Sequence, residues 1–220
     1  MAFKTLDQLR NVEPGLNSEL GLTADSDNSF GTTGQRNAFI QRAFAKLWPR
    51  MGRLTRESLV TVTNQQDYTL TTLYDIERIE VMDTTTPTLV ADRVRSYQHY
   101  IDEAADPPTI RLLLPAMAAG ITLRAIGYVP YLVPASGGAS CDLPSRLEHV
   151  LIAGARVEAY RAKVNAFANF ERFQNENRSN ALSAADIIEL LRQSQREFDR
   201  GLAENARNLV GAHRARLQTG

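Results

Sequence analysis

The side chains best suited to chemistry are those of Cys141, the only cysteine, and of its neighbours Asp142 and His149. A thiol near a carboxylate and an imidazole could act as a nucleophile with an adjacent base. Cys141, however, follows the Gly- and Ser-rich residues 133–140, and such a stretch is a poor support for a preorganised site. A lone cysteine also excludes an intramolecular disulfide and a cysteine-based zinc site. We therefore expect no catalytic role for this group.

No other group of residues has the spacing of a catalytic or cofactor site. The sequence has no Walker-type glycine loop and no G-x-G-x-x-G, G-x-S-x-G or H-E-x-x-H motif. The three histidines, at positions 99, 149 and 213, lie in separate segments. Asp75, Glu77 and Glu80 alternate with apolar residues, which indicates the solvated face of a strand. We predict a protein without catalytic residues, cofactor or metal, and not an enzyme.

The composition is that of an ordinary globular protein, with 43% hydrophobic and 23% charged residues. The 25 basic and 25 acidic side chains cancel, so there is no long-range attraction to nucleic acid or to an anionic membrane. A chain without net charge is also more prone to self-association. The start of the chain lacks the apolar run of a signal peptide, and no apolar stretch approaches the ~20 residues of a membrane helix. We expect a soluble protein that assembles in a reducing cytoplasm.

Arginines are concentrated towards the C-terminus. After Leu191 there are six arginines against three acidic residues. On a single chain this pattern indicates a solvated helix face. Repeated around a ring of copies, the same arginines would surround a channel with positive charge and hold DNA phosphates weakly and without sequence preference. The residues alone leave both interpretations open.

Helical periodicity is found near both ends of the chain. Residues 35–50 and residues 145–173 carry apolar side chains at helical spacing. A last helix is predicted from Ser183 to about Arg216, with a length of ~50 Å at ~1.5 Å per residue. Its apolar stripe consists of Ile187, Leu191, Phe198, Leu202, Ala206 and Leu209. A helix of this length usually needs partners from other copies.

Between the helices the period changes to two, which is typical of strands. The clearest strands are residues 109–114 and 121–129, joined by a short turn, and residues 96–101 are predicted to form a helical turn. Further strands are predicted over residues 59–63, 68–70, 76–83 and 88–90. The predicted fold is therefore α+β: a mainly α-helical bundle with an inserted small antiparallel β block, sandwich-like, and a long C-terminal helix.

Four segments define the predicted domain organisation. Residues 1–53 form the N-terminal segment and the first helix of the helical domain. Residues 54–132 form the inserted antiparallel β domain, and residues 133–144 a flexible linker. Residues 145–220 supply the long helices that complete the helical domain, with a C-terminal extension.

Four stretches in this order resemble the head-to-tail adaptor, or connector, proteins of tailed bacteriophages, similar to the adaptor and tail-tube ring family of T7-like viruses. The first is residues 35–48, a helix ending near a tryptophan. The second is QQDYTLTTLYDIERIEV at 65–81, and the third is PTIRLLLPAMAAGITLRAIGYVP at 108–130, paired strands ending in Tyr and Pro. The fourth is LPSRLEHVLIAGARVEAY at 143–160. Thr71-Thr72 stands where the family usually has a proline after Tyr-x-Leu.

The resemblance implies a structural virion protein of the neck or tail that forms a homo-oligomeric ring, expected to be dodecameric. Its partners would be other copies, the portal protein and tail or nozzle proteins, with double-stranded DNA passing through a central channel and no membrane. The candidate oligomer or portal interface consists of Ile187, Leu191, Phe198, Leu202 and Leu209. The candidates for portal or DNA contact are Arg207, Arg214 and Arg216.

Two alternatives stay open. One is another neck or tail-tube component. The other is a β module on a helical stalk that binds glycan or a host protein, which would require exposed aromatic residues grouped on the β face. The residues that could do so are Tyr68, Tyr74, Tyr97, Tyr100, Tyr128 and Tyr131.

Overall fold

The computed structural model describes residues 4–83, 85–86, 89–104, 109–170 and 184–206. These residues divide into two compact units. One is helical and combines residues 4–51 with residues 131–206. The other is a β unit formed by Gly52–Pro130. Each unit has its own hydrophobic core.

The helical unit contains five α-helices among its described residues. They are α1 (Leu6–Asn11), α2 (Leu16–Glu19), α3 (Thr33–Leu47), α4 (Glu148–Phe170) and α5 (Ala184–Glu204), with a 3₁₀ turn at Ser145–Leu147 before α4. Thr5 and Thr32 are the N-caps of α1 and α3, and each forms a capping box. The threonine hydroxyl accepts a hydrogen bond from the backbone N–H of the glutamine three residues later. The glutamine side chain accepts from the threonine amide in return, which satisfies two otherwise unpaired donors at each helix start.

Helix α4 is the central element of the helical unit and packs against both α3 and α5. Its buried side chains point in all directions around the helix, as expected of a helix covered on several sides. They include Val150, Leu151, Ile152, Ala155, Val157, Ala159 and Tyr160. Ile187, Phe198 and Leu202 of α5 join this core.

The Gly- and Ser-rich segment before α4 is hydrogen-bonded to the start of the chain. Asp7 N donates to Gly137 O at 2.9 Å, and Cys141 N donates to Lys4 O at 3.1 Å. A further β-bridge joins Thr5 to Ser140. Backbone pairing with residues 4–7 therefore fixes the path of this part of residues 133–144, the segment predicted as a linker.

The β unit consists of two antiparallel sheets with seven strands among the described residues. The four-stranded sheet has the order β1-β7-β3-β4 and the three-stranded sheet the order β2-β6-β5. The strands are β1 (Arg53–Val60), β2 (Asp67–Leu70), β3 (Asp75–Met82), β4 (Val90–Val94), β5 (Gln98–Asp102), β6 (Thr109–Leu113) and β7 (Thr122–Val129).

The core of the β unit is formed by the inward-facing residues of both sheets. Alternate residues of β7, Leu123 and Ala125, are fully buried, and so are Ile79 of β3 and Leu112 of β6. Apolar residues from two sheets thus share one buried layer, the arrangement of a small sandwich.

Two predictions about the fold class have different outcomes. A mixed α+β fold is confirmed. The prediction of a mainly α-helical bundle is wrong, because the seven strands form a separate unit with its own core instead of a minor insertion into helices.

Among the described residues, no helix combines the length and the apolar character needed to cross a bilayer.

Two element predictions are also corrected. The predicted helical turn over residues 96–101 is largely strand β5, which pairs with β6. The strands at 109–114 and 121–129 are present, but β6 and β7 belong to different sheets. Helix α5 spans Ala184–Glu204, and its 21 residues reach ~30 Å at ~1.5 Å per residue; the predicted end near Arg216 lies outside the described residues.

Candidate functional site

Cys141 lies in the core of the helical unit and not on an accessible loop. Its side chain is 3% exposed, and burial raises the pKa of the thiol. A thiol that resists ionisation is a weak nucleophile. Asp142 accepts a hydrogen bond from the Leu132 amide at 2.6 Å, and His149 lies in a cleft between α4 and α5. Cys141 thus packs in the core, Asp142 binds a backbone amide, and His149 lines the cleft.

The acidic residues singled out in the sequence are engaged within the β unit. Asp75 lies 3.2 Å from the imidazole of His99. Glu80 is buried and accepts from Arg78 Nε at 3.0 Å, while Glu77 pairs with Nη1 of the same arginine at 2.9 Å. In the part of the chain that the structure describes, no three His, Cys, Asp or Glu residues group in a way that could hold a metal ion.

The predicted interface residues of the last helix lie in the core of the chain's own helical unit. Ile187, Phe198 and Leu202 are between 1% and 4% exposed, and Leu191 packs partly buried against the same core. Their packing stabilises α5 on α4, and their contact with another copy or the portal stays a prediction. Leu209, Arg207, Arg214 and Arg216 lie outside the described residues.

The exposed apolar side chains of the β unit are concentrated on the outermost strands of its two sheets. β1 and β4 form the edges of the four-stranded sheet, and β5 is an edge of the three-stranded sheet. These strands expose Leu54, Val60, Val90, Tyr100 and Ile101, each by 45% or more. We call these five residues the edge apolar residues. Apart from Tyr100, nothing in the sequence distinguished them, because their alternation is the same as that of core strands.

Strand β1 also has a free backbone edge. Between Leu54 and Val60, its backbone hydrogen bonds go to β7, and no other described segment pairs with it. It is eight residues long, contains no proline and keeps a regular register throughout. An edge of this kind is a ready template for another strand.

The tyrosines proposed for glycan binding are not brought together as an exposed group. Tyr68 and Tyr131 are buried, and Tyr131 belongs to the helical unit. The hydroxyl of Tyr97 donates to Glu77 O at 3.1 Å. Tyr74 and Tyr100 are exposed but lie on different elements, one before β3 and the other in β5.

Comparisons with known proteins give a coarse likeness to a solved structure. No protein-family model matches the chain, and no curated protein matches it significantly. Among solved structures, a chain from the neck of an empty gene transfer agent (GTA) particle, computed with C6 symmetry, matches with a TM-score of 0.30 and 13% identity. The match covers 86% of this chain and 92% of that chain. The likeness is to a neck component of a phage-like particle and extends to no ring size, partner or channel.

Proposed function

We propose that the chain is a structural virion protein, a head-to-tail adaptor that forms a ring between the portal and the tail of a tailed phage or phage-like particle. The observation that carries this proposal is the set of edge apolar residues on the open strands of the β unit. The sequence resemblance to phage adaptors, over about residues 35–165, supplies the kind of assembly.

Exposed edges of this kind are unfavourable in a protein that works alone. Leu54, Val60 and Ile101 each leave more than half of their side chain in water. Burying apolar surface gains about 25 cal/mol per Å². Natural monomers protect long edge strands because free edges recruit other chains. A protein whose working state is a ring covers those edges with its neighbours.

The two edges of the four-stranded sheet suit contacts between different surfaces of neighbouring copies. β1 and β4 lie at opposite sides of the sheet and have different sequences. A contact that joins one edge to a different surface is heterologous, and heterologous contacts generate rings when the rotation closes. In this proposal the ring is dodecameric and its open centre passes DNA, without a bond being made or broken.

The absence of enzymatic activity is part of the same proposal. The buried, weakly acidic thiol of Cys141 and the ion-paired carboxylates of β3 support it. A different neck or tail-tube component is the second candidate, and the same edge apolar residues would serve it. The two differ in partner: an adaptor binds the portal directly, whereas a tail-tube component binds other tail proteins.

The test is the mass of the purified chain in solution, measured by light scattering alone and with the purified portal protein of the same particle. A monomer that becomes a ring-sized complex on the portal is the expected result. A chain that ignores the portal but assembles with tail proteins would support the second candidate. A chain that remains monomeric with either partner would overturn the proposal.

A further inference from the structure

Four arginines occupy neighbouring positions on the outer face of the four-stranded sheet, which we call the arginine face: Arg56 of β1, Arg124 of β7, Arg78 of β3 and Arg93 of β4. Leu123 and Ala125 of β7 point into the core, so residues 124 and 126 point outwards. In the register of the sheet, Ile126 lies between Arg56 and Arg78, and Glu80 lies between Arg124 and Arg93. Successive arginines are therefore diagonal neighbours, about 7–8 Å apart at their backbone positions.

Three of these guanidinium groups have no carboxylate partner among the described residues. Arg56 and Arg93 are exposed and form no ion pair there, and Nη2 of Arg124 lies 2.9 Å from the sulfur of Met82. Only Arg78 is neutralised, by Glu77 and by the buried Glu80. The four arginines are set against two carboxylates, Glu77 and Glu80, so the arginine face carries an excess of positive charge.

The arginines are grouped on this face although the β unit as a whole is not basic. Residues 52–130 contain seven arginines, no lysine and ten acidic residues. Several of the acidic side chains are used inside the unit: Glu57 accepts from the amides of Thr71 and Thr72, and Asp83 from those of Thr85 and Thr86. Positive charge is therefore separated onto one face of a unit whose total charge is negative.

The chemistry of the face fits a phosphate backbone better than it fits a protein. The apolar residues between the arginines, Ile126 and Met82, are 8% and 3% exposed. The exposed apolar residues of the same face, Leu54 and Val60, lie on its edge strand β1. The accessible groups nearest the centre of the face are therefore the partly exposed Arg78 and Arg124. Protein interfaces instead have an apolar centre with charges at the rim. Guanidinium groups bind phosphate oxygens through two parallel N–H donors, and such contacts need no base sequence.

We propose that the arginine face binds the phosphate backbone of double-stranded DNA without sequence preference. The inference rests on the proposed function, because DNA meets this chain only as it passes the neck. It assigns the contact to the β unit, separately from the C-terminal arginines.

The experiment measures binding of the full-length chain to a short fluorescent DNA duplex by anisotropy, between about 50 and 200 mM salt. The test variant is Arg56→Gln, Arg93→Gln and Arg124→Gln combined, which leaves the Arg78 ion pairs in place. The control variant is Arg50→Gln, Arg146→Gln and Arg161→Gln, which removes the same charge from exposed positions of the helical unit. The slope of log K against log salt is negative, and each lost phosphate contact reduces its magnitude by about 0.9.

We expect the test variant to bind DNA at least about tenfold more weakly than the wild type at about 50 mM salt. The magnitude of its salt slope should be smaller by about 2–3. The control variant should keep the wild-type slope. Equal losses in both variants, or no loss in the test variant, would overturn the assignment. Displacement of the duplex by poly-glutamate as readily as by unlabelled duplex would also overturn it, in favour of an acidic protein partner.

Assembly on the portal, measured by light scattering, separates this inference from the proposed function. A test variant that assembles normally but no longer binds DNA supports both. A wild-type chain that assembles without binding DNA contradicts the inference alone. A wild-type chain that binds DNA but never assembles contradicts the proposed function alone.

Discussion

Arg36 is a charged side chain with no exposure to solvent. Its guanidinium donates to the carbonyl oxygens of Asp25 at 2.5 Å and Gly31 at 2.9 Å, and to that of Asp27. It also lies 3.1 Å from the Asp25 carboxylate, which Arg10 binds at 3.0 Å. Two guanidinium groups therefore hold residues 25–31 against α3. Buried charges of this kind are tolerated only when each is paired and hydrogen-bonded.

This network gives the stability of the helical unit a dependence on pH. Burial on its own would raise the pKa of the Asp25 carboxyl, but hydrogen bonds from Asn17, Arg10 and Arg36 together lower it below its ordinary value of 3.8. A carboxyl whose pKa is lower in the folded state adds stability above its unfolded pKa. That stability is lost as the pH falls through the folded pKa.

We expect Asp25→Asn to be less stable than the wild-type chain at pH 7, with the difference shrinking as the pH falls below about 4. Urea unfolding at a series of pH values measures this difference in the free energy of unfolding. Asp199→Asn, at an exposed position on α5, is the control and should differ little from the wild type at any pH. A constant difference between Asp25→Asn and the wild type down to pH 3 would contradict the assignment.

The buried thiol of Cys141 leads to a prediction about reactivity. Because burial raises its pKa and covers the sulfur, we expect labelling by a disulfide reagent at pH 8 to be at least about a hundredfold slower in the folded chain than in guanidinium chloride. Cys141→Ser supplies the background. Rapid labelling of the folded chain would restore the nucleophile interpretation of Cys141, Asp142 and His149.

At the scale of residues, the sequence predicted little of this. Thr5 and Thr32, each followed three residues later by glutamine, carry a signal that could have fixed the exact starts of α1 and α3. The burial of Arg36 had no signal, because its partners are carbonyl groups of a loop whose path depends on the whole helical unit. Cys141 was placed on a flexible linker because local composition does not reveal pairing with Lys4, far away in the chain.

At the scale of elements, two glycines set the distance between α4 and α5. A methyl group added at Gly154 would lie 2.8 Å from the ring of Phe198, and one at Gly201 would lie 2.8 Å from Val150. Glycine is used here for close approach, although it is otherwise unfavourable in a helix. Each position fixes one point of the contact between the two helices.

We expect Gly154→Ala and Gly201→Ala each to lower the free energy of unfolding by about 1–3 kcal/mol, because the added methyl overpacks the contact. Gly34→Ala in α3 is the matched control, since its added methyl would meet only the Thr32 hydroxyl, at 3.9 Å. That change should be neutral or stabilise by about 0.5–1 kcal/mol. Chemical denaturation measures all three, and equal effects at the three positions would argue against the close contact.

The edge apolar residues make a prediction about assembly. Leu54→Lys combined with Val60→Lys places charges on β1 without touching the core, so the free energy of unfolding should stay within about 0.5 kcal/mol of the wild type. Association with other copies on the portal should be lost, because charged side chains block strand addition. Val12→Lys with Ile188→Lys, which changes exposed apolar residues of the helical unit, is the matched control. If the β1 variant assembles as well as this control, the edge is not an interface.

The strand predictions separate what a pattern can reveal from what it cannot. Alternation located β6 and β7 correctly, yet it contains no information about which strands become neighbours. Residues 115–120 were interpreted as a short turn joining these strands, whereas the chain changes sheets there. Residues 96–101 were assigned to a helical turn although most of them form β5, because pairing with β6 overrides a weak local preference. The periodicity of α5 continues beyond Glu204, where the helix ends.

At the scale of the whole molecule, the β unit enters and leaves the helical unit at neighbouring strands. Arg53 at the start of β1 is opposite Val129 at the end of β7. Residues opposite each other in antiparallel strands have Cα atoms about 4.5–5.5 Å apart. The two ends of the β unit can therefore be joined by a very short connection.

We expect a chain in which residues 53–129 are replaced by a short Gly-Ser linker to retain the helical unit. Far-UV circular dichroism should show a helical protein that unfolds cooperatively, because both parts of the helical core are preserved. The complementary fragment, residues 52–130, should give a β-type spectrum. A replaced chain that lacks cooperative unfolding would mean that the helical unit depends on the β unit.

The sequence indicated both helices and strands, but the predicted share of the fold was too large for the helices and too small for the strands. The helical segments are long and strongly periodic, so they suggested a bundle with a small insertion. The strands are short, four to eight residues each, and their combined core becomes visible only when two sheets face each other. Burial on opposite faces of two sheets is a property of tertiary structure, which explains why a mainly helical bundle was predicted.

The insertion of one unit within the other also sets the order in which the chain can fold as it leaves the ribosome. Residues 52–130 are contiguous and contain all seven described strands, so both sheets can form as soon as they emerge. The first three helices emerge earlier, but α4 and α5, which cover them, are made last. At about 5–20 residues per second, the apolar face of α3 stays uncovered for seconds to tens of seconds. During that interval the nascent chain is a candidate for chaperone binding, while its β unit is already folded.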